Sequence, residues 1–168
     1  MRPVVWGPFV FAAASAVFAC GSGDTPPSKG NYTVEFPSTE AAVATDFVQI
    51  LVFDVDPAKR AEICDELVAS RITDPDNVKP IQPPAEANIC EMRAGRKPVV
   101  IPYGEHAIVA VAQRMDGDQR KDFLIGCAIM TIGEGDAPLP IPLRPVAVDA
   151  TIPSTKCPSV GEYCDGKC

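Results

Sequence analysis

The chain has 168 residues, of which 46% are hydrophobic and 22% charged. This composition suits one folded domain with terminal segments and excludes a chain that stays disordered throughout. The formal net charge of −7 and the scattered lysines and arginines exclude the basic surface that binds nucleic acid. The densest basic group, Arg93, Arg96 and Lys97, is predicted to be a solvated loop. The 18 prolines disfavour a helical bundle.

The N-terminus has the pattern of an export signal. Met1 and Arg2 form a short positive segment, and residues 4–18 are uncharged and mostly apolar. That apolar stretch is shorter than the ~20 residues that span a bilayer, but it has the length of a signal-peptide core. We therefore predict that residues 1–19 are a signal peptide that is removed on export.

The signal ends in Val17, Phe18, Ala19 and Cys20, a tetrapeptide that resembles the lipobox of bacterial lipoproteins. The resemblance implies that Cys20 is the first residue of the mature protein, is acylated with groups such as palmitate, and anchors the chain in the lipid bilayer. Phe18 departs from the small residue usually found at its position. Gly21 stands where an Asp would mark retention in the inner membrane, so the resemblance implies the outer membrane.

A different cleavage site leaves an alternative open. Ala14, Ser15 and Ala16 also form a small-x-small site, which would release a freely secreted protein. Residues 20–30 are polar and rich in Gly, Ser and Pro, as expected of a flexible tether between a membrane and a folded domain. The tether favours the lipoprotein hypothesis.

Residues 31–153 are predicted to form the folded domain. Its first two predicted strands differ in their hydrophobic patterns. Residues 32–36 alternate between apolar and polar side chains, as in a half-buried strand. Residues 47–53 are apolar on both alternating sets, which predicts a central strand covered on both faces.

One helix is predicted at about residues 57–71. Asp56 suits its N-cap and Pro57 its first position. Ile63, Cys64, Leu67 and Val68 fall on one face, so this face should pack inward. Residues 73–95 then carry four prolines and no clear period, which predicts a long crossover loop with a short element at about residues 89–92.

Three further strands follow in the second half of the domain. Residues 106–113 and 122–132 alternate, and Asp116, Gly117 and Asp118 between them are typical of a hairpin turn. Residues 146–152 give a last strand framed by two prolines, in positions that suit a sheet edge.

A sixth strand is expected near residues 99–101, so we predict a mainly β fold, an antiparallel β-sandwich of about six or seven strands with one inserted α-helix. Residues 99–109 resemble the strand, Pro-x-Gly turn and strand of prealbumin-like and carboxypeptidase-regulatory-like modules, with the turn at Pro102, Tyr103 and Gly104. This resemblance implies a structural or adhesive accessory domain. It transfers no catalytic residues.

The chain has seven cysteines, and an even number remain once Cys20 is assigned to lipid. In an exported chain these six are predicted to form three disulfides that stabilise the domain. Three lie in the domain and three in the C-terminal tail, residues 154–168, so at least one disulfide must join the two. The candidates are Cys64, Cys90, Cys127, Cys157, Cys164 and Cys168.

Six cysteines allow 15 connectivities, and one pairing is favoured by the predicted elements. Cys64 shares the apolar helix face, and Cys127 shares the strand face that carries Phe123, Ile125 and Ile129. A helix laid over that face would pair Cys64 with Cys127. A Cys127–Cys157 pair is disfavoured because Cys157 would lie beyond the far end of the last strand.

The patterns of metal and redox sites are missing from the sequence. The tail cysteines are separated by six and three residues, unlike zinc-binding pairs, and no C-x-x-C redox motif occurs. Asp116, Asp118 and Asp122 do not have calcium-loop spacing, and residues 133–136 contain G-x-G but precede prolines, where a phosphate cradle needs a helix. We expect neither a cofactor nor a bound metal.

Catalytic candidates are few. His106, the only histidine, is predicted to be a partly exposed strand residue. Asp54 and Asp56 end the central strand and would serve an envelope hydrolase, although a strand end and a helix cap explain them too. We therefore expect a non-enzymatic binding or structural accessory of the cell envelope, tethered by Cys20, with an envelope or surface protein as partner. The alternatives are the envelope hydrolase and a freely secreted disulfide-rich binding protein.

Overall fold

The computed structural model describes residues 32–96, 100–133, 138–147 and 151–168. The predicted signal peptide, Cys20 and the tether lie outside the described residues. Within these ranges, no helix has both the length and the apolar character needed to cross a bilayer.

The described residues form seven strands and four short helices. The strands are β1 (Tyr32–Glu35), β2 (Phe47–Asp54), β3 (Ala85–Asn88), β4 (Gly104–Asp116), β5 (Gln119–Ile132), β6 (Leu139–Pro142) and β7 (Arg144–Pro145). The helices are α1 (Thr39–Val43), α2 (Ile63–Thr73), α3 (Ile89–Arg93) and α4 (Val160–Cys164). The fold is therefore mainly β, as the sequence predicts.

Five strands form one antiparallel sheet in the order β3-β2-β4-β5-β7. Strand β2 lies inside this sheet, and its alternating residues enter two separate cores. Val48, Ile50 and Val52 face the core that holds α1, β1 and β6, whereas Leu51 and Phe53 face the core that holds α2. The prediction of a central strand covered on both faces is confirmed.

The long β4–β5 hairpin turns at the predicted place. Asp116 pairs with Gln119, so Gly117 and Asp118 form a two-residue loop. Gly117 has a φ of +61° at the first loop position. That position requires a positive φ in a type II′ turn, which matches the twist of the flanking strands and strongly favours glycine.

Strands β1 and β6 form a separate two-stranded sheet whose pairing is parallel, with Val34 opposite Ile141. The prediction of a wholly antiparallel arrangement is therefore wrong for these two strands. Tyr32 and Ile141 are buried in the first core, so this small sheet shares a core with the five-stranded sheet. The sequence does not predict strand β6, because Pro140 and Pro142 are typical of a loop.

The predicted helix 57–71 is divided in the structure. The Asp56 side chain accepts the Ala58 N–H, but the cap begins only a 3₁₀ turn, Pro57–Lys59. The α-helix proper starts at Ile63 and ends at Thr73. Ile63 and Val68 are buried against the sheet, so the predicted inward face is correct although the helix start is wrong.

Two predicted strands differ from the structure. Val100 and Ile101 are not in a strand, and Val99 lies outside the described residues. Ile101 instead fills the first core from an irregular segment and is fully buried. The predicted last strand is replaced by the short β7, which ends at Pro145; residues 146–147 and 151–152 are irregular, and 148–150 lie outside the described residues.

The long loop predicted at 73–95 contains more structure than expected. Strand β3 pairs with the start of β2, and α3 confirms the short element predicted near residues 89–92. Asn88 caps α3 in a reciprocal capping box with Glu91.

Candidate binding groove

Three disulfides connect all six cysteines of the described residues. Cys64 pairs with Cys127, with Cα atoms 5.4 Å apart, which is the connectivity that the apolar faces of helix and strand predict. Cys90 pairs with Cys164 and joins α3 to α4, and Cys157 pairs with Cys168 within the tail. Thus one disulfide fastens the tail to the domain, as the cysteine count requires.

An ion pair and a hydrogen bond add to the tail's attachment. The Nη1 group of Arg93 on α3 donates to Asp165 Oδ1 at 3.3 Å and to the Gly161 carbonyl at 3.5 Å. Hydrogen bonds from Lys167 and from Arg93 lower the pKa of Asp165. The tail therefore lies beside α3, with α4 as its ordered segment.

A groove of about 310 Å³ lies between β1 on one side and α3 on the other. Most of its lining is apolar, with two arginines at α3 and the turn that follows it. The lining residues are Tyr32, Thr33, Val34, Phe36, Ile89, Met92, Arg93, Gly95, Arg96 and Val160. This combination of an apolar wall and guanidinium groups is suited to a ligand that is both apolar and anionic.

The sequence predicts that Arg93, Arg96 and Lys97 lie in a solvated loop, and for the two arginines this prediction is correct only in part. Lys97 lies outside the described residues. Arg93 belongs to α3 and holds the tail, whereas Arg96 follows the helix and pairs with Glu91. The Arg96 side chain is 68% exposed, so it is accessible to a ligand at the groove.

A second polar cluster lies beside the hairpin. Asp122 receives two hydrogen bonds from Arg71 of α2, at 2.8 and 3.2 Å, and one from Gln113 at 2.8 Å. The Arg71 and Asp122 side chains are only 14% and 21% exposed. This ion pair attaches the end of α2 to the sheet. Its two residues are 51 positions apart, and the sequence analysis did not predict their contact.

The acidic residues considered for calcium are separately engaged. Asp116 pairs with Lys121, whose hydrogen bond and charge lower the pKa of Asp116. Asp122 is held by Arg71 and Gln113, as above. In the part of the chain that the structure describes, no three His, Cys, Asp or Glu side chains come together as metal ligands would. Of the G-x-G segment, only Gly133 is described.

His106 is buried, with 6% of its surface exposed, so the prediction of a partly exposed residue is wrong. Its strand begins at Gly104, two residues earlier than predicted, and His106 therefore lies between Asp54 and Met130 rather than at the strand start. His106 Nδ1 is 3.6 Å from Asp54 Oδ1, slightly beyond hydrogen-bond distance.

The two carboxylates considered for a hydrolase have different surroundings. The Asp54 side chain is 80% exposed at the end of β2, while the Asp56 side chain caps the 3₁₀ turn. The capping role expected of Asp56 is confirmed.

Comparison of the chain with protein-family models, with curated proteins and with solved structures returned no match.

Proposed function

We propose that this chain is an exported lipoprotein, anchored in the outer membrane through an acylated Cys20, whose folded domain binds a protein partner in the cell envelope without catalysis. The observation that carries the proposal is the pairing of all six cysteines of the described residues. Such pairing is favoured in oxidising compartments outside the cytoplasm. Cys20 is the seventh cysteine, and acylation gives it a role that requires no disulfide partner.

The shape of the domain supports a binding role. We propose that the β1–β6 sheet is the smaller layer of a sandwich, since its buried side chains share a core with the five-stranded sheet. The groove lies at the margin of this smaller layer and begins at Tyr32, next to the predicted tether. A partner bound there would be held close to the membrane that the tether reaches.

Site-specific crosslinking in intact envelopes tests this proposal. A photo-crosslinking amino acid placed at Thr33, an exposed residue that lines the groove, is expected to capture one discrete envelope protein. The matched control is the same amino acid at Ile72, which is 44% exposed on α2, on the other side of the main sheet. Equal capture from both positions, or no capture from Thr33, would contradict a role for the groove.

A further inference from the structure

Strand β1 has one edge paired and one edge facing the groove. Leu143 N–H donates to the Glu35 carbonyl at 2.8 Å, so the peptide groups of Glu35 point toward β6. Because peptide groups alternate in direction along a strand, the N–H and C=O of Val34 point the opposite way. Thr33 and Val34 have side chains on opposite faces of the strand and both line the groove, so the groove runs along this edge.

The outer edge of β6 is closed to a further strand. Pro140 and Pro142 occupy the positions whose N–H groups would point outward, and proline has no N–H to donate. In addition, the Pro142 carbonyl oxygen lies only 2.2 Å from where a Cβ on Gly126 would be, so this edge packs directly on β5. The small sheet is therefore blocked at one edge.

The two edges of the small sheet differ in how they are protected from further strands. Proteins commonly block exposed strand edges with proline, lysine or covering segments, because an open edge recruits other strands. Strand β1 has the sequence Tyr-Thr-Val-Glu, with neither proline nor lysine, and within the described residues no second strand pairs with its edge at the groove. An open edge beside an apolar groove and a helix is an arrangement in which extended peptides add as an extra strand.

The charges at the groove restrict the chemistry of such a peptide. Arg93 and Arg96 both make their side-chain hydrogen bonds through Nη1, and a guanidinium has five N–H donors. Both side chains are substantially exposed, at 48% and 68%, so a carboxylate can still approach their other donors. A lysine-rich peptide would meet repulsion at the same place.

We propose that the groove binds an extended segment of the partner protein as a third strand of the β1–β6 sheet. The segment carries apolar side chains for the groove wall and a carboxylate, from Asp, Glu or a C-terminus, for Arg93 and Arg96. This inference rests on the proposed function and specifies the chemistry of its partner.

A binding assay with synthetic peptides tests the inference on the full chain, exported so that its disulfides form and purified in mild detergent. The probe is a fluorescein-labelled hexapeptide of alternating valine and glutamate with a free C-terminus, followed by fluorescence anisotropy. We expect saturable binding that weakens about tenfold when the central peptide amides are N-methylated, since the added methyl groups remove the strand's donors. Replacing the glutamates with lysines should weaken binding at least as much. If a peptide with a C-terminal amide binds more weakly than the free acid, the C-terminal carboxylate contacts the arginines; if it binds equally, the glutamate side chains do.

Two charge-reversed variants give a matched comparison. Arg96→Glu should weaken binding about fivefold to tenfold, whereas Arg60→Glu should not, although Arg60 is also an exposed arginine paired with a glutamate. Val34→Pro removes the outward N–H without removing a hydrogen bond to β6, and it should weaken binding comparably. Circular dichroism establishes that each variant is folded, and the N-methylated peptide makes the same test without changing the protein.

Several results would overturn the inference. These are absence of saturable binding, equal binding of the N-methylated or lysine peptide, or a dimer of the chain that Val34→Pro dissociates, which would make a second copy the occupant. None of these results bears on lipidation at Cys20, and a dimer would be recognised in the envelope experiment as a crosslink between two copies of the chain at Thr33. Failure of the inference and failure of the proposed function can therefore be told apart.

Discussion

Removal of the Cys64–Cys127 disulfide should strongly destabilise the domain. This disulfide joins α2 to the middle of β5, and the two cysteines are 63 positions apart. Replacing both with alanine leaves the sheet and the Arg71–Asp122 ion pair in place but frees the unfolded chain from a large closed loop. The main effect is therefore expected on the entropy of the unfolded state.

The expected magnitude follows from the size of that loop. For a separation of 63 residues, loop-closure entropy corresponds to about 4.3 kcal/mol at 25 °C. At roughly 3–4 °C per kcal/mol for a domain of this size, the melting temperature should fall by about 15 °C. The same relation gives about 2.8 kcal/mol for Cys157–Cys168, whose separation is 11 residues.

Urea unfolding of the disulfide-bonded protein, followed by circular dichroism, measures both losses. The Cys64→Ala/Cys127→Ala variant should lose clearly more stability than the Cys157→Ala/Cys168→Ala variant. A larger loss from the tail disulfide would refute the entropic reasoning. A peptide map that joins Cys64 to Cys90 or to a tail cysteine would refute the docking of α2 on β5.

Three further perturbations have defined outcomes. Gly126→Ala should lower the free energy of unfolding, measured in urea, by about 2 kcal/mol or more. Its Cβ would lie 2.2 Å from the carbonyl oxygen of Pro142, and this backbone atom would have to shift. Unchanged stability would contradict the packing of β6 on β5. Asp122→Ala should lower the free energy of unfolding by about 2 to 3 kcal/mol in the same assay, because the largely buried Arg71 would lose its carboxylate partner. A loss below about 0.5 kcal/mol would argue against this contact. Asp165 has a lowered pKa when folded, so its stabilising contribution is present above the unfolded value of about 3.8 and is lost as the pH falls through the lowered value. The hydrogen-exchange protection factors of α4, corrected for the intrinsic exchange rate at each pH, should therefore fall over that acidic range. Asp165→Asn should remove this fall.

Strands whose signal is local could be predicted from the sequence. Strands β2, β4 and β5 have long alternating or apolar runs, and the β4–β5 turn depends on one glycine between neighbouring strands. The Cys64–Cys127 pairing could be predicted because each cysteine shares a clear apolar face with its neighbours.

Features that depend on distant partners could not be predicted. Strand β6 contains two prolines, and only its parallel pairing with β1, more than 100 positions away, makes it a strand. Strand β3 consists of alanine, glutamate and asparagine, which have little strand preference. The buried position of His106 follows from its register against Asp54 and Met130.

The groove also depends on distant parts of the chain and could not be predicted. Its two walls, β1 and α3, are separated along the chain by more than 50 residues, and its end is completed by Val160 of the tail. The Cys90–Cys164 disulfide brings α4 to α3, and nothing in the local sequence specifies that pairing among those that six cysteines allow. The arginines that line the groove therefore looked like an ordinary solvated loop.

Mass spectrometry of the mature N-terminus tests the lipoprotein assignment most directly. The protein is extracted from membranes, digested, and its N-terminal peptide analysed together with metabolic labelling by a fatty-acid analogue. We predict a first residue at Cys20 that carries diacylglycerol and incorporates the label, and loss of both in a Cys20→Ser variant. A water-soluble protein that begins at Val17, with Cys20 unmodified, would contradict the assignment.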